Sequence, residues 1–224
     1  VAVPVTAGLQ LLQGLVWGLA EVVLVDVLPD GAGSDPECIA ADPREFATLC
    51  AAPGPDSPAV DPALRRECLR RGVPLLVDAT RVFGCRVNGR PVGADGDMTI
   101  FGFGDDQILG AGQGGVVTLA DDALADRVRD CRSFHVAASA TRVVPRINGK
   151  MAEAPAALIL AGMADLARRI AHNRTLTETY VAGLRGLPGI RVLTPDTNVE
   201  SSFSELWVEV DTMFGWPEAT DLQR

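Results

Sequence analysis

The sequence predicts an α/β fold in which a mostly parallel sheet is covered by helices. Three observations carry that expectation. Short apolar runs rich in β-branched residues recur along the chain and alternate with stretches of helical spacing, the pattern of buried strands joined by crossover helices. Clusters of Gly, Pro, Asp, Asn and Ser punctuate these runs where turns belong. A chain of 224 residues, 47% hydrophobic and 22% charged, can bury one substantial core without disulfides or metals.

Taken in order, strands are expected at about Val1 to Val5, Val22 to Val27, Glu45 to Cys50, Pro74 to Asp78, Met98 to Phe103 and Gly115 to Leu119. Before the fourth strand, Asp61-Pro62 offers an N-cap with proline at the first helical position. Leu64, Cys68 and Leu69 then share a face, and Gly72 is the stop. Asp121 opens another helix, with Leu124, Val128 and Cys131 on one stripe. From about Ala154 to Leu187, the residues Leu158, Met163, Leu166, Ile170, Leu176, Tyr180 and Leu184 recur at helical spacing, and Pro188-Gly189 ends the run; a long helix or a kinked pair fits. Ile190 to Leu193 and Leu206 to Val210 read as strands of a further, incomplete unit, separated by a polar loop. The expected organisation is a large α/β domain over 1–152, a connecting helix or helices over 153–187, and the start of a small α+β domain over 188–224.

The net charge of −9 and pI near 4.7 argue against nucleic-acid and anionic-membrane partners, which require clustered cations. A small molecule or another protein is the expected partner. Cys38, Cys50, Cys68, Cys85 and Cys131 are odd in number, widely spaced and without a C-x-x-C pair, so buried thiols in a reducing cytoplasm are expected instead of a zinc set or a disulfide framework. The start, Val1-Ala-Val-Pro-Val, lacks the build of a signal peptide, and the most apolar early run is broken by glycines and Glu21 before it reaches membrane-spanning length. The expected location is cytoplasmic.

Several segments carry a family resemblance. Asp97-Met-Thr-Ile-Phe-Gly-Phe-Gly-Asp-Asp-Gln107-Ile-Leu-Gly-Ala-Gly-Gln-Gly-Gly-Val-Val117 comes first, with Asp78-Ala-Thr-Arg81-Val-Phe-Gly84 and Asn88-Gly-Arg-Pro-Val-Gly93 ahead of it and Ile147-Asn-Gly-Lys-Met151-Ala-Glu153 behind. Together, in this order and spacing, they resemble the DegT/DnrJ/EryC1/StrS sugar aminotransferases. The resemblance covers most of the chain. It implies a pyridoxal phosphate fold type I large domain, with a seven-stranded, largely parallel sheet or a shortened version of it, and active sites shared between two subunits. It also implies that Asp78 matches the aspartate that pairs with the cofactor's pyridine nitrogen. From residue type alone, a turn aspartate after a buried strand is an equal reading of Asp78. The family's Gly-Ser/Thr phosphate segment would precede Val1 and its small domain would run past Arg224, as expected of either a shortened protein or part of a longer one.

The departures from the family pattern bear on chemistry. Gln107 stands where the resemblance places the Schiff-base lysine, and the only lysine is Lys150, in a different motif. An amide nitrogen is neither basic nor nucleophilic enough to replace an amine. Gly102 stands where a serine would bind the cofactor phosphate, Ala7 where an aromatic ring would stack on the pyridine, and Arg81 where a glutamine or histidine would sit near the phenolic oxygen. Asn148 matches a residue that reaches the neighbouring subunit's phosphate, and Lys150 the family's arginine at a subunit boundary.

Other residues have plainer readings. Asp105 and Asp106 could form a carboxylate pair suited to general acid work, although adjacent residues in an extended loop point apart. His135 and His172 are expected on polar helix faces, and Trp17, Trp207 and Trp216 in a core or interface. The glycine-rich run ending at Gly115 leads into a strand, unlike a dinucleotide fingerprint, which opens a helix.

The expected function is that of a degenerate sugar-aminotransferase homologue without transaminase activity. It would be either a noncatalytic partner, pairing with itself or an active relative through the face of Asn148 and Lys150, or a repurposed cofactor-independent enzyme of deoxysugar or secondary-metabolite biosynthesis. The enzyme would use Asp78, Arg81, Asp105 or Asp106 on a sugar-type ligand. No cofactor is expected to be covalently bound. The vestigial cofactor pocket would comprise Ala7, Asp78, Arg81, Gly102, Gln107 and Asn148. An alternative is noncovalent pyridoxal or pyridoxamine phosphate chemistry of an aminotransferase-like or dehydratase-like kind, for which Gln107 lacks the base.

Overall fold

The structure is a computed structural model that describes residues 1–28, 33–133, 147–211 and 213. Its first half alternates strand and helix: β1 (Ala2–Pro4), α1 (Leu9–Trp17), β2 (Val23–Val25), α2 (Pro36–Ala41), β3 (Leu49–Ala51), α3 (Pro62–Arg71) and β4 (Leu75–Asp78). A 3-10 turn over Thr80–Val82 leads to a small hairpin, β5 (Arg86–Val87) and β6 (Arg90–Pro91). Then come β7 (Met98–Gly102), β8 (Gly115–Leu119), α4 (Asp122–Cys131), α5 (Glu153–Ala164), α6 (Leu166–Leu184), β9 (Ile190–Val192), β10 (Val199–Glu200) and β11 (Val208–Val210).

Six of these strands form the main sheet, in the order β2-β1-β3-β4-β7-β8. The first five run parallel, and β8 runs antiparallel to β7 from Met98 opposite Leu119 to Gly102 opposite Gly115. Side chains of successive strand residues point to opposite faces, so β1, β3 and β4 feed two cores at once. Ala2, Leu49, Ala51, Leu75 and Val77 join Leu64 and Cys68 of α3 on one face. Val3, Cys50 and Leu76 join Leu11 of α1 on the other.

Helix α3 forms as its sequence predicts. Asp61 accepts a hydrogen bond from the Ala63 amide at 2.6 Å, Pro62 fills the first turn, and Gly72 closes the helix in the left-handed region at φ 67°. Leu69 departs from expectation: it follows Cys68 by 100° of helical rotation and is exposed. Two helices have no counterpart among the sequence expectations. α2 carries the same Asp-Pro start signal, with the Asp35 carboxylate accepting from the Glu37 amide at 2.8 Å. α1 has no capping side chain, and although Leu11, Leu12 and Leu15 turn inward, Leu9, Val16 and Trp17 stay exposed and blur its apolar stripe.

The strand expected at Glu45 to Cys50 begins only at Leu49. The Arg71 guanidinium takes the carbonyls of Ile39, Asp42 and Arg44 and lies 5.3 Å from the Phe46 ring centroid, which clamps the preceding segment as a loop. The last strand likewise starts at Val208 instead of Leu206. The long helical region is a pair, broken at Asp165, whose φ of −105° and ψ of 3° leave the helical range. Its apolar stripe is only partly covered: Ile159 is buried, while Leu158, Met163, Leu176 and Tyr180 are exposed. Asn88 and Gly89 turn the β5–β6 hairpin with φ 51° and 74°, the primed geometry that suits a tight hairpin. β10 pairs with β5 and ties the later chain back to the hairpin.

All five cysteines are free; Cys50, Cys68 and Cys85 are buried as expected, but Cys38 is exposed and Cys131 only half-buried. Trp17 is 82% exposed, so it belongs to no core within this chain. Trp207 is half-buried, and Trp216 lies outside the described residues. No helix among the described residues is long and apolar enough to cross a membrane. They also contain no cluster of three or more His, Cys, Asp or Glu that could hold a metal ion.

Candidate active site at the strand ends

Parallel strands deliver their carboxyl ends to one edge of the sheet, where crossover loops must open a crevice. Here the chain leaving β1, β3, β4 and β7 lines a cleft of about 300 Å³. Leu11, Ala52, Pro53 and Phe103 form its buried apolar floor, and Asp78, Thr80, Arg81, Gly102, Asp106 and Gln107 are among its polar walls.

Asp78 sits at the last position of β4, and one of its oxygens accepts the Thr80 amide at 3.1 Å. It is therefore a turn aspartate and a cleft-facing carboxylate together. Burial, with the Asp78 charge adding to it, pushes the neighbouring Cys50 thiol well above its ordinary range, so this sulfur stays protonated and inert. Thr80 crosses to β7: its hydroxyl accepts the Gly102 amide at 2.9 Å. A Cβ at residue 102 would come within 3.1 Å of the Thr80 methyl group, so glycine suits the close approach of Thr80.

Arg81 is held on three sides. Its Nη1 donates to the Thr6 carbonyl at 2.7 Å, its Nε lies 3.4 Å from Glu205 Oε1, and its guanidinium carbon is 5.8 Å from the Trp207 ring centroid. Glu205 also accepts from the Trp207 indole at 2.8 Å, and the Ser204 hydroxyl donates to the Arg81 carbonyl. The loop presenting these groups is anchored, although its sequence reads as polar and exposed. Ser201 and Ser202 are buried; Ser201 donates to the Pro55 carbonyl at 3.1 Å, and the Ser202 amide donates to the Cys85 sulfur at 3.2 Å. Phe203 is held between them and Ser204 at φ 51°, an uncommon backbone state for a bulky residue. Next to this loop, Phe203, Leu206 and Trp207 join Val181, Leu193 and others around a mostly apolar cleft of about 340 Å³.

Gln107 lies in the turn after β7, with its amide bonded to the Gly104 carbonyl at 3.0 Å and its own carbonyl taken by Gly110 at 2.8 Å. Among the described residues its side chain has no hydrogen bond, and the same holds for Gln10, Gln113 and Asp106, which also line the cleft. Asp105 and Asp106 diverge: Asp106 lines the cleft, whereas Asp105 lies outside that lining and faces Gly112. The remaining sequence candidates fall elsewhere. Ala7 packs against the cluster of Leu11 and Val3 without lining the cleft, and Asn148 and Lys150 are exposed and not in its lining, although the next residue, Met151, packs against Gly114 at its wall. His172 is exposed on α6, and His135 lies outside the described residues.

Sequence reasoning missed Thr80, Gln10, Gln113 and Glu205. Thr80 sits inside the quoted Asp78 motif and was legible there. Glu205 follows a serine-rich loop and carries no local signal, since only the fold brings it to Arg81.

A parallel α/β sheet with a polar cleft at its strand ends defines a broad class of small-molecule-binding proteins. Within it, the crystal structure of DesI with its TDP-sugar product superposes with a TM-score of 0.86 at 28% identity, covering 95% of this chain and 54% of that one. DesV of S. venezuelae, in complex with a ketimine intermediate, superposes with a TM-score of 0.81 at 26% identity, covering 99% of this chain and 60% of that one. Among curated relatives, dTDP-3-amino-3,4,6-trideoxy-α-D-glucose transaminase of Streptomyces venezuelae is 33% identical over 144 residues, which are 63% of this chain and 38% of that protein. The erythromycin biosynthesis sensory transduction protein EryC1 of Saccharopolyspora erythraea is 33% identical over 137 residues, 61% of this chain and 37% of its own length. The matched part thus spans under two-fifths of each of these two curated relatives. The DegT/DnrJ/EryC1/StrS aminotransferase family model matches residues 13–224, and the chain belongs to that family.

That family uses pyridoxal phosphate. Holding it as a Schiff base requires an amine in the cleft, and the only lysine, Lys150, is exposed and outside the lining. Among the described residues, no aromatic side chain lines the cleft apart from Phe103 in the floor. The residues present do not fit a covalently held cofactor.

Proposed function

We propose that this chain is a sugar-aminotransferase relative that carries out no transamination and holds no cofactor covalently, its strand-end cleft being kept for a sugar-type small molecule. The carrying observation is the pairing of Gln107 in the cleft wall with the exposure of the only lysine at 150. A carboxamide cannot lose a proton and attack an aldehyde at neutral pH, so the amino-transfer cycle has no tether. The family membership supports a place in deoxysugar or related secondary metabolism.

A noncatalytic partner role, in a homodimer or beside an active relative, draws support from a separate observation. Helix α5 is apolar on all sides, yet it buries only Ile159 and Gly162 within this chain and leaves Leu158, Leu160 and Met163 exposed. A helix apolar all round normally lies in an interior or an interface. Asn148 and Lys150 are also exposed shortly before it.

The test is to incubate the purified protein with pyridoxal phosphate and L-glutamate, then measure 2-oxoglutarate production and the intact mass after borohydride reduction. The expected result is no turnover and no mass increment. Sustained turnover, or a stoichiometric reduced adduct in the cleft, overturns the reading.

A further inference from the structure

We infer that the strand-end cleft receives an unphosphorylated polyhydroxylated ring, and prefers one bearing an ammonium group, so that its ligand class is a free amino sugar instead of a phosphorylated cofactor. This rests on the reading that no cofactor is covalently held there.

Charge is the first argument. Among the described residues, the ionisable groups lining the cleft are Asp78, Asp106, Glu205 and Arg81, three carboxylates against one guanidinium. α1 begins at the rim through Gly8, Gln10 and Leu11, and a helix N-terminus adds about half a positive charge. The balance stays negative, which opposes a phosphate dianion and favours a cation.

Donor accounting is the second. Phosphate oxygens only accept hydrogen bonds and need several donors. Part of the cleft's donor capacity is already committed, Arg81 Nη1 to the Thr6 carbonyl at 2.7 Å and the Gly102 amide to Thr80 at 2.9 Å, while the rest of the Arg81 guanidinium lies against the Glu205 carboxylate, 3.4 Å from Nε, which competes with any phosphate. A sugar has the opposite demand, because each hydroxyl donates as well as accepts. Gln10, Gln107 and Gln113 offer carboxamides that do both, and Asp106 and the second oxygen of Asp78 accept, with no hydrogen bond to any of these groups among the described residues.

Shape is the third. A volume of about 300 Å³ lies at the small end of ligand pockets, which suits one ring better than an extended molecule. The buried Leu11, Ala52, Pro53 and Phe103 offer the ring's C–H face apolar contact beside the polar groups of the same lining.

The test uses calorimetric titration of the purified protein with four probes: D-glucosamine, D-glucose, glucose 6-phosphate and pyridoxal phosphate. Glucosamine is expected to bind tightest, glucose more weakly, and glucose 6-phosphate about tenfold or more below glucose. Asp106→Asn should reduce the glucosamine preference severalfold, and its melting temperature checks that it folds. A second measurement needs no variant: added salt should weaken glucosamine binding more than glucose binding. Phosphorylated probes binding as well as glucose, a preference indifferent to both Asp106→Asn and salt, or no sugar binding at millimolar concentration would each overturn the inference. The borohydride experiment reads the cofactor question separately, so failure of this inference and failure of the proposed function give different results.

Discussion

The middle of the sheet and its carboxyl edge are built from different materials. In the middle, Leu49, Cys50 and Ala51 of β3 and Leu75, Leu76 and Val77 of β4 are all buried and alternate between two apolar clusters. One residue further, at Asp78, the chemistry turns polar, and Thr80, Arg81, Asp106 and Gln107 surround a cleft. Burial is concentrated in the middle, where side chains are locked by neighbours, whereas at the edge the Asp106 and Gln107 side chains have no hydrogen bond among the described residues. The packing that holds the fold is therefore separate from the groups that line the cleft.

The largest expected effect breaks that comparison if it fails. Leu75→Ala, in a strand with Leu75 fully buried, should cost about 2 to 5 kcal/mol, read as a lowered denaturant midpoint. Asp78→Asn, three positions along the same strand but half-buried at the cleft, should cost less than about 1 kcal/mol. Equal losses would show that the edge carries as much stability as the centre.

A middle-sized effect sits on α3, which packs on the sheet's buried face. Glu67 is 7% exposed, a rare position for a carboxylate. It accepts hydrogen bonds from Arg70 at 2.7 Å and from Arg71. Chiefly the Arg70 hydrogen bond, against burial and with help from Arg71, holds its carboxyl down at about 2. A depressed carboxylate contributes stability that is present above its ordinary value near 4.5 and is lost as pH falls through about 2. Glu67→Gln should cost about 2 kcal/mol at pH 7 and flatten the stability profile between those limits. An unchanged acid-unfolding curve in the variant would assign the acid sensitivity to the other depressed carboxylates, Asp97 held low by the Arg65 hydrogen bond and Asp42 by that of Arg44 among them.

What the sequence revealed follows the same division. The β1, β2, β3, β4, β7 and β8 strands and helix α3 were legible because short apolar runs and Asp-Pro capping are local signals, and the α5–α6 pair because its apolar run is long and Pro188-Gly189 ends it. α1 was not, since no side chain caps its start and the exposed Leu9, Val16 and Trp17 blur the stripe of Leu11, Leu12 and Leu15. At the cleft, Asp78, Arg81, Gly102, Asp106 and Gln107 could be named from motif order and do come together there, whereas Ala7, Asp105 and Asn148 do not line it. Glu205 and the buried Ser201 and Ser202 were hidden, because long-range hydrogen bonds to Arg81, Pro55 and Cys85 leave no trace in local spacing.

The smallest expected effect sharpens the comparison most. Gln107→Lys puts an amine in the cleft, where the sequence resemblance expects one, at a half-buried side chain without hydrogen bonds among the described residues, so stability should move by no more than about 0.5 kcal/mol. If the amide were the only obstacle, this one change would give a borohydride-stable adduct with pyridoxal phosphate. The cleft argues otherwise. Thr80 occupies the Gly102 amide, Arg81 is bound to Thr6 and Glu205, and three carboxylates face any incoming phosphate. Adding Gly102→Ser would supply a hydroxyl, but its Cβ would press within 3.1 Å of Thr80. The expected result is therefore weak, non-saturating adduct formation in Gln107→Lys and no better in the double variant, measured by intact mass against cofactor concentration. Saturable modification of the single variant would mean that the rest of the pocket has remained a cofactor site, and that the edge of the sheet has changed by one residue instead of by its whole charge pattern.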